Sequence, residues 1–165
     1  MYYFSYAANI SVAWFKKRIA SAEPLDIYEL HGYRLEFNKI GDDDSSKANA
    51  VYTGNPEDSI WGVVYHVAEE DRDTLEKGYN SRKQGYVKQH ITVEVDYLPH
   101  QAFMFVAREN FIDENLKPYS WYVFHILHGA MSADFPEEYV EMLQNIATIT
   151  DTDIQRACNE NEVYA

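Results

Sequence analysis

SIWGVVYHV, residues 59–67, sets the architecture of the chain, because its apolar and β-branched residues predict a buried strand. Alternating apolar and polar residues predict a long strand on either side of it, at 26–40 with Gly32 as a bulge and at 86–97. Shorter strands are expected at residues 2–6, 50–53 and 101–107, loops at 41–49 and 78–85, and helices at 12–19, 69–77, 121–131, 136–149 and 152–159. Strands that come first and helices that come later indicate an α+β fold.

The composition indicates a single domain, residues 1–165, with 46% hydrophobic and 15% aromatic residues. A net charge of −13 argues against a nucleic-acid partner, since binding to a phosphate backbone depends on clustered lysine and arginine. The basic cluster Lys16, Lys17 and Arg18 is interpreted as the solvated face of a helix. No apolar run is long enough for a membrane span, and Cys158 as the only cysteine favours a cytoplasmic location.

Metal and nucleophile motifs are weak in this chain. The run Asp42, Asp43 and Asp44 lacks the glycine and distal glutamate of a calcium loop and indicates a solvated loop. His125 and His128 share a helix face, but spacing suggests no further ligand, which favours core histidines over a zinc site. The residues themselves therefore predict neither a metal nor a cofactor.

Four segments of the chain follow one another in a recognisable order. They are FSYAAN at residues 4–9, GYRLEFN at 32–38, WGVVYHV at 61–67 and KPYSWYVFHILHGAMSADFPEEYVEMLQNI at 117–146. Together they resemble the gamma-glutamylcyclotransferase family, which has a Tyr-Gly-Ser-Asn corner after its first strand, a Trp-Gly-Val-Val strand and a closing helical pair. The resemblance covers nearly the whole chain.

The resemblance implies a small, closed, mostly antiparallel β-barrel with surrounding helices and a pocket at one end. It also implies an intramolecular reaction, in which the α-amine of a γ-glutamyl amide attacks its own γ-carbonyl, releases the amine and forms 5-oxoproline. Because the nucleophile and electrophile are already tethered, no metal or cofactor is implied. The protein supplies a carboxylate as general base and backbone amides that hold the substrate's oxygens.

By this resemblance, Tyr6, Ala7, Ala8 and Asn9 form the corner that binds the substrate. Alanines stand where the family usually has glycine and serine, so the serine hydroxyl is absent. Ala7 would be strained if the corner required a positive φ. An ordinary strand-to-helix corner is an equal alternative for these residues.

The position of the family's catalytic glutamate is ambiguous in this chain. Counted without gaps from Trp61, it falls on Tyr79, and an unperturbed phenol, with a pKa of about 10, supplies little base at neutral pH. A register shifted by three residues puts Glu76 in that role, with a solvated helix carboxylate as an equal alternative. Tyr86 and Tyr122 match pocket tyrosines of the family and are expected to orient a substrate carboxylate.

Two functions therefore stay open. The first is a cyclotransferase acting on a γ-glutamyl amide or amine, with Glu76 as base. The second is a catalytically retired module that binds a γ-glutamyl or amino-acid-like ligand without consuming it, with Tyr79 in the former site. Different chemistry in the same pocket is a weaker third alternative, because a fold does not fix a function. The sequence fixes neither the substrate nor the oligomeric state.

Overall fold

The computed structural model describes residues 1–80 and 85–164, whose strands form two separate sheets. The strands are β1 (Tyr2–Ser5), β2 (Glu23–His31), β3 (Tyr33–Ile40), β4 (Ser46–Tyr52), β5 (Ser59–His66), β6 (Tyr86–Val95) and β7 (Leu98–Ala107). The larger sheet has the order β2–β5–β1–β7–β6, and β3 pairs with β4. In the larger sheet only β1 and β7 run parallel; the other neighbours are antiparallel.

The segment SIWGVVYHV forms β5, as predicted, and lies beside the central strand β1. Val63, Val64 and Tyr65 are buried in the core. Gly62 is required at its position, because a Cβ there would lie 2.5 Å from the ring of Phe4 on β1. The close contact of β5 with β1 fixes the end of β1, and with it the start of the corner at residues 6–9.

The predicted closed barrel is wrong, although the α+β class is confirmed. In the described part of the chain the edge strands β2 and β6 share no backbone pairing, and the β3–β4 ribbon pairs with neither edge. The ribbon instead contacts the larger sheet through Asn49, whose Oδ1 accepts a hydrogen bond from the Ala107 amide at 2.9 Å. A side chain thus spans the gap that a backbone ladder would close.

The helices are α1 (Val12–Lys16), α2 (Arg72–Asn80), α3 (Ser120–Ser132), α4 (Glu137–Gln144) and α5 (Ile154–Asn161), with 3₁₀ turns at Ala8–Ile10, Glu69–Asp71, Glu109–Phe111 and Glu162–Tyr164. α2 packs against β6 of the larger sheet, α1 and α3 pack against the turn at residues 8–10, and α4 and α5 pack against α3. Gly129 lets α3 approach the corner, since a Cβ there would lie 2.5 Å from the Ser11 nitrogen. No helix within the described ranges is long and apolar enough to cross a membrane.

Turn geometry explains where the predicted elements are wrong. Gly32 has a φ of +82° and turns the chain between β2 and β3, so the predicted bulged strand is two strands in different sheets. Asp96 and Tyr97 have φ of 52° and 63° and form the β6–β7 hairpin turn, which ends β6 earlier than expected. Gly78 is helical rather than part of a loop, and residues 81–84 of that predicted loop lie outside the described residues.

Candidate functional site

The corner after β1 has an ordinary backbone that leaves amide groups available. Ala7 has a φ of −117° and a ψ of −152°, so the strain expected for a positive φ is absent. Ala7 and Ala8 are partly exposed, and neither amide donates a hydrogen bond to any residue that the structure describes. Both amides can therefore donate to a ligand oxygen.

Helix α2 brings Tyr79 into contact with this corner. The Tyr79 hydroxyl lies 2.6 Å from Asn9 Nδ2 and 3.4 Å from the Tyr3 hydroxyl. The Tyr79 ring stacks on Phe105 of β7, with centroids 4.2 Å apart and ring planes 8° from parallel. The residue at the glutamate position in the ungapped count thus lies at the corner and is held there by two rigid partners.

Arg18 fixes the direction of the hydrogen bonds around Asn9. Its Nη2 donates to Asn9 Oδ1, and a guanidinium can only donate, so the amide nitrogen of Asn9 is directed at Tyr79. Asn9 Nδ2 therefore donates to the Tyr79 oxygen, which leaves the Tyr79 proton for another acceptor. Tyr3, Asn9, Arg18 and Tyr79 are called the corner network below.

Glu76 lies one helical turn before Tyr79 and has a different partner. Its Oε1 lies 2.6 Å from Lys88 Nζ on β6, and the two side chains are 26% and 21% exposed. Among the described residues no hydrogen bond joins Glu76 to the corner at residues 6–9. The structure therefore brings Tyr79, and not Glu76, into contact with Asn9.

The other predicted site tyrosines hold backbone groups. Tyr6 donates its hydroxyl hydrogen bond to the carbonyl of Phe105. Tyr86 donates to the carbonyl of Ala48 at 3.1 Å, and the Ala48 amide donates to the Tyr122 hydroxyl at 3.1 Å. Ala48 lies at the register shift of the β3–β4 ribbon, where it has no paired residue on β3. The hydroxyls of Tyr86 and Tyr122 bond to its backbone groups in place of such a residue. Tyr122 keeps its own proton for a further acceptor.

The ionisation of these tyrosines excludes them as bases. Burial raises the pKa of Tyr6, Tyr86 and Tyr122 above the ordinary phenol value. They stay protonated at neutral pH and act only through hydrogen bonds.

Lys39 lies against Tyr86, with Nζ 4.8 Å from the ring centroid, and is 2% exposed. Desolvation lowers the pKa of Lys39.

Sequence reasoning missed Tyr3 and Arg18. Arg18 was interpreted as part of a solvated face, and it is indeed exposed, yet its guanidinium bonds to the buried Asn9. The signal in the sequence is a basic cluster in a chain of net charge −13.

Two other features lie outside the predicted site. A cavity of about 710 Å³ lies between residues 10–13, β2 and α3, and none of the predicted site residues lines it.

Of the described residues, no group of His, Cys, Asp and Glu is arranged to hold a metal ion. His125 is buried and its Nδ1 lies 2.7 Å from the Tyr164 hydroxyl.

The fold is that of the gamma-glutamyl cyclotransferases. A solved structure described as a gamma-glutamyl cyclotransferase aligns with a TM-score of 0.76 and 21% identity, over 96% of this chain and 98% of its own. A human protein described as uncharacterized aligns with a TM-score of 0.78 and 19% identity, over 96% and 97%. A yeast gamma-glutamyl cyclotransferase specific to glutathione aligns with a TM-score of 0.65 and 11% identity, over 87% and 93%.

The sequence model of the AIG2-like family matches residues 59–143, more than half of the chain, and the chain belongs to that family. The predicted relation to gamma-glutamylcyclotransferase-like proteins is confirmed at the level of family and fold. A sequence search of the curated proteins finds no match.

Proposed function

We propose that this protein binds a small γ-glutamyl or amino-acid-like ligand at the corner without converting it. The observation that carries the proposal is the contact of the Tyr79 hydroxyl with Asn9, at 2.6 Å. Cyclisation requires a base that takes a proton from the α-ammonium before the amine attacks. A neutral phenol is a hydrogen-bond donor and a weak base, so it favours binding over proton abstraction.

The groups that face the proposed ligand are hydrogen-bond donors. The amides of Ala7 and Ala8 have no acceptor among residues 1–80 and 85–164. The Tyr79 oxygen accepts from both Asn9 and the Tyr3 hydroxyl, which leaves the Tyr79 proton for a ligand. Carbonyl and carboxylate oxygens of a γ-glutamyl compound suit such a set. All the donors belong to the chain itself, so the proposed binding uses neither a metal nor a cofactor. The exposed free thiol of Cys158 supports a reducing, cytoplasmic setting.

A cyclotransferase with Glu76 as base is the second candidate, and one observation favours it. Glu76 lies one turn from Tyr79 and is held by a single, partly exposed ion pair with Lys88. Such pairs contribute only about 0.2–1 kcal/mol, so a substrate ammonium can compete with Lys88 for the carboxylate. Two of the aligned structures are described as cyclotransferases.

The experiment offers the protein γ-glutamylalanine and γ-glutamylbutylamine, and follows both 5-oxoproline release and the melting temperature. Wild type and Glu76→Gln are compared, because the substitution removes the carboxylate and keeps the shape. We expect a ligand-dependent rise in melting temperature, without release of 5-oxoproline, in both proteins. Release by wild type that Glu76→Gln abolishes would overturn the binding module in favour of the cyclotransferase. If the protein neither binds these compounds nor releases 5-oxoproline from them, both functions are overturned.

A further inference from the structure

A second cavity lies between α1 and α2, beside the corner network. Its volume is about 310 Å³, which lies within the range of small-molecule sites. Phe15, Ile19 and Leu75 form apolar walls, and the polar residues of the lining are Arg18, Thr74 and Tyr79. In a cavity of this kind the apolar walls pack against the apolar part of a ligand, and the few polar groups orient the ligand's polar end.

The cation at this cavity has no acidic partner among the described residues. Arg18 donates to Asn9 through Nη2, and it makes no ion pair there. Its neighbours Lys16 and Lys17 also make no ion pair with any described residue. Three cations thus stand side by side at this position of a chain with 27 acidic and 14 basic residues. Their combined field attracts an anion to this end of α1.

The second polar group at the cavity is also a donor. Asn9 donates to the Tyr79 oxygen, so the hydroxyl proton is left for another acceptor. A guanidinium and a hydroxyl proton at one apolar cavity suit an anionic oxygen group, and a guanidinium binds a carboxylate through two parallel hydrogen bonds.

We propose that the cavity between α1 and α2 binds a small carboxylate with an apolar body. Its carboxylate pairs with Arg18 and accepts from Tyr79, and its body packs against Phe15, Ile19 and Leu75. The proposal does not rest on the proposed function, because its ligand needs neither a γ-glutamyl group nor the amides of Ala7 and Ala8.

Gly78 is an exposed residue of the cavity lining, with room for a larger side chain. It lines the cavity, and a Cβ built on it meets no atom within 4 Å. Gly78 is helical, and its φ is not among the positive values of the chain, so larger residues suit its backbone. Gly78→Leu therefore adds bulk at the cavity in a helix that leucine favours.

The test is an NMR titration of the full chain with hexanoate, hexanamide and hexylammonium. We expect hexanoate to shift amide signals of α1 and α2, and the neutral and cationic probes to bind at least about tenfold more weakly. Arg18→Gln should weaken hexanoate binding at least about tenfold, whereas Lys17→Gln should change it less than about threefold. Lys17 is the matched control, because it carries the same charge next door and does not line the cavity.

Gly78→Leu tests whether hexanoate occupies the cavity or is only attracted to the positively charged surface at residues 16–18. We expect it to abolish hexanoate binding while the folded spectrum is kept. Equal binding of hexanoate and hexanamide would overturn the proposal, as would equal weakening by Arg18→Gln and Lys17→Gln. Unchanged binding in a folded Gly78→Leu variant, or no binding of hexanoate by wild type, would overturn it as well.

Discussion

Two buried polar networks of this molecule differ in how completely their groups are paired. Around Asp151, Trp121 Nε1 donates at 2.8 Å, Arg156 donates through Nε and Nη2 at 2.6 Å each, and the Asp153 amide donates at 2.9 Å. Trp121, Asp151 and Arg156 are called the carboxylate clasp below. In the corner network, by contrast, Arg18 and Tyr79 keep donors that no described residue accepts.

The clasp is a structural network, and the corner network is the one that we propose to bind a ligand. In the clasp, a carboxylate with both oxygens occupied links α3 to the start of α5 and has no capacity for a ligand. The corner network holds its side chains in place through Asn9 and still presents spare donors. The spare donors belong to the exposed Arg18 and the half-buried Tyr79, so water or a ligand can accept from them, and we propose a ligand.

The largest expected effect comes from giving the corner network a carboxylate of its own. Tyr79→Glu should raise 5-oxoproline release from γ-glutamylalanine at least about 100-fold above wild type, because it supplies a general base beside Asn9. Product formation is measured under identical conditions for Tyr79→Gln, which has the same length and no base. Equal gains in both variants, or none in Tyr79→Glu, would mean that a missing carboxylate does not explain the corner.

The second prediction removes the charge of the clasp. Arg156, Trp121 and the Asp153 amide hold the pKa of Asp151 below its ordinary value, through hydrogen bonds that outweigh its desolvation. A lowered folded pKa stabilises the fold above the unfolded pKa of about 3.9 and loses that stabilisation as pH falls toward the folded pKa. Asp151→Asn should therefore unfold at lower urea than wild type at pH 7.

The pH series provides the check on this second prediction. The gap between wild type and Asp151→Asn should shrink as pH falls below about 4, because the unfolded wild-type chain then binds a proton at Asp151 while the folded protein still keeps the carboxylate charged. Asp153→Asn, at the cap of α5, is the matched control for a carboxylate outside the clasp. A gap that stays constant with pH would contradict the role of the charge.

A smaller effect is expected for Tyr79→Phe, which removes a hydroxyl and keeps the ring on Phe105. Asn9 Nδ2 then retains only the Tyr3 hydroxyl, at 3.3 Å, so the free energy of unfolding should fall by about 1 kcal/mol. Urea unfolding measures the loss. Tyr3→Phe serves as the control, since it removes the longer of the two bonds to Asn9, and it should destabilise the fold less. If Tyr3→Phe destabilised the fold more than Tyr79→Phe, the Tyr3 hydroxyl would be the main acceptor for Asn9.

The smallest effect is expected for Glu76→Gln. It removes a partly exposed ion pair with Lys88, so the free energy of unfolding should fall by about 0.5 kcal/mol at low salt and by less at high salt. Lys88→Gln should give a similar loss. A much larger loss from Glu76→Gln alone would assign Glu76 a contact beyond Lys88.

The elements that local pattern determines could be predicted from the sequence. β5 and α3 carry the expected periods, and the corner follows β1 where the motif order required it. Closure of the barrel could not be predicted, because it depends on backbone pairing between the edges β2 and β6 or between the ribbon and an edge, and neither pairing leaves a local pattern in the sequence. The contact of the Asn49 side chain with Ala107 has no sequence signature either.

The candidate site was predictable in part for the same reason. The ungapped count assigns Tyr79 to the glutamate position, which stays a prediction, and the structure shows that Tyr79 contacts Asn9. The partner of Glu76 is on β6, a separate strand, so only the packing of α2 on that strand reveals the ion pair. The contact of Arg18 with Asn9 likewise depends on how the short helix α1 folds back on the corner.

The parallel pairing of β1 with β7 has a consequence for the order of folding. Tyr3 pairs with Phe103, so the central strand gains this neighbour only after the chain up to Phe103 is available. Contacts so distant in sequence slow folding, because a long loop must close before they form. During synthesis β1 therefore waits, unpaired on this side, until most of the chain has emerged from the ribosome. The start of the corner is fixed earlier by β5, whereas the packing of α3 beside it waits until residues 120–132 have emerged.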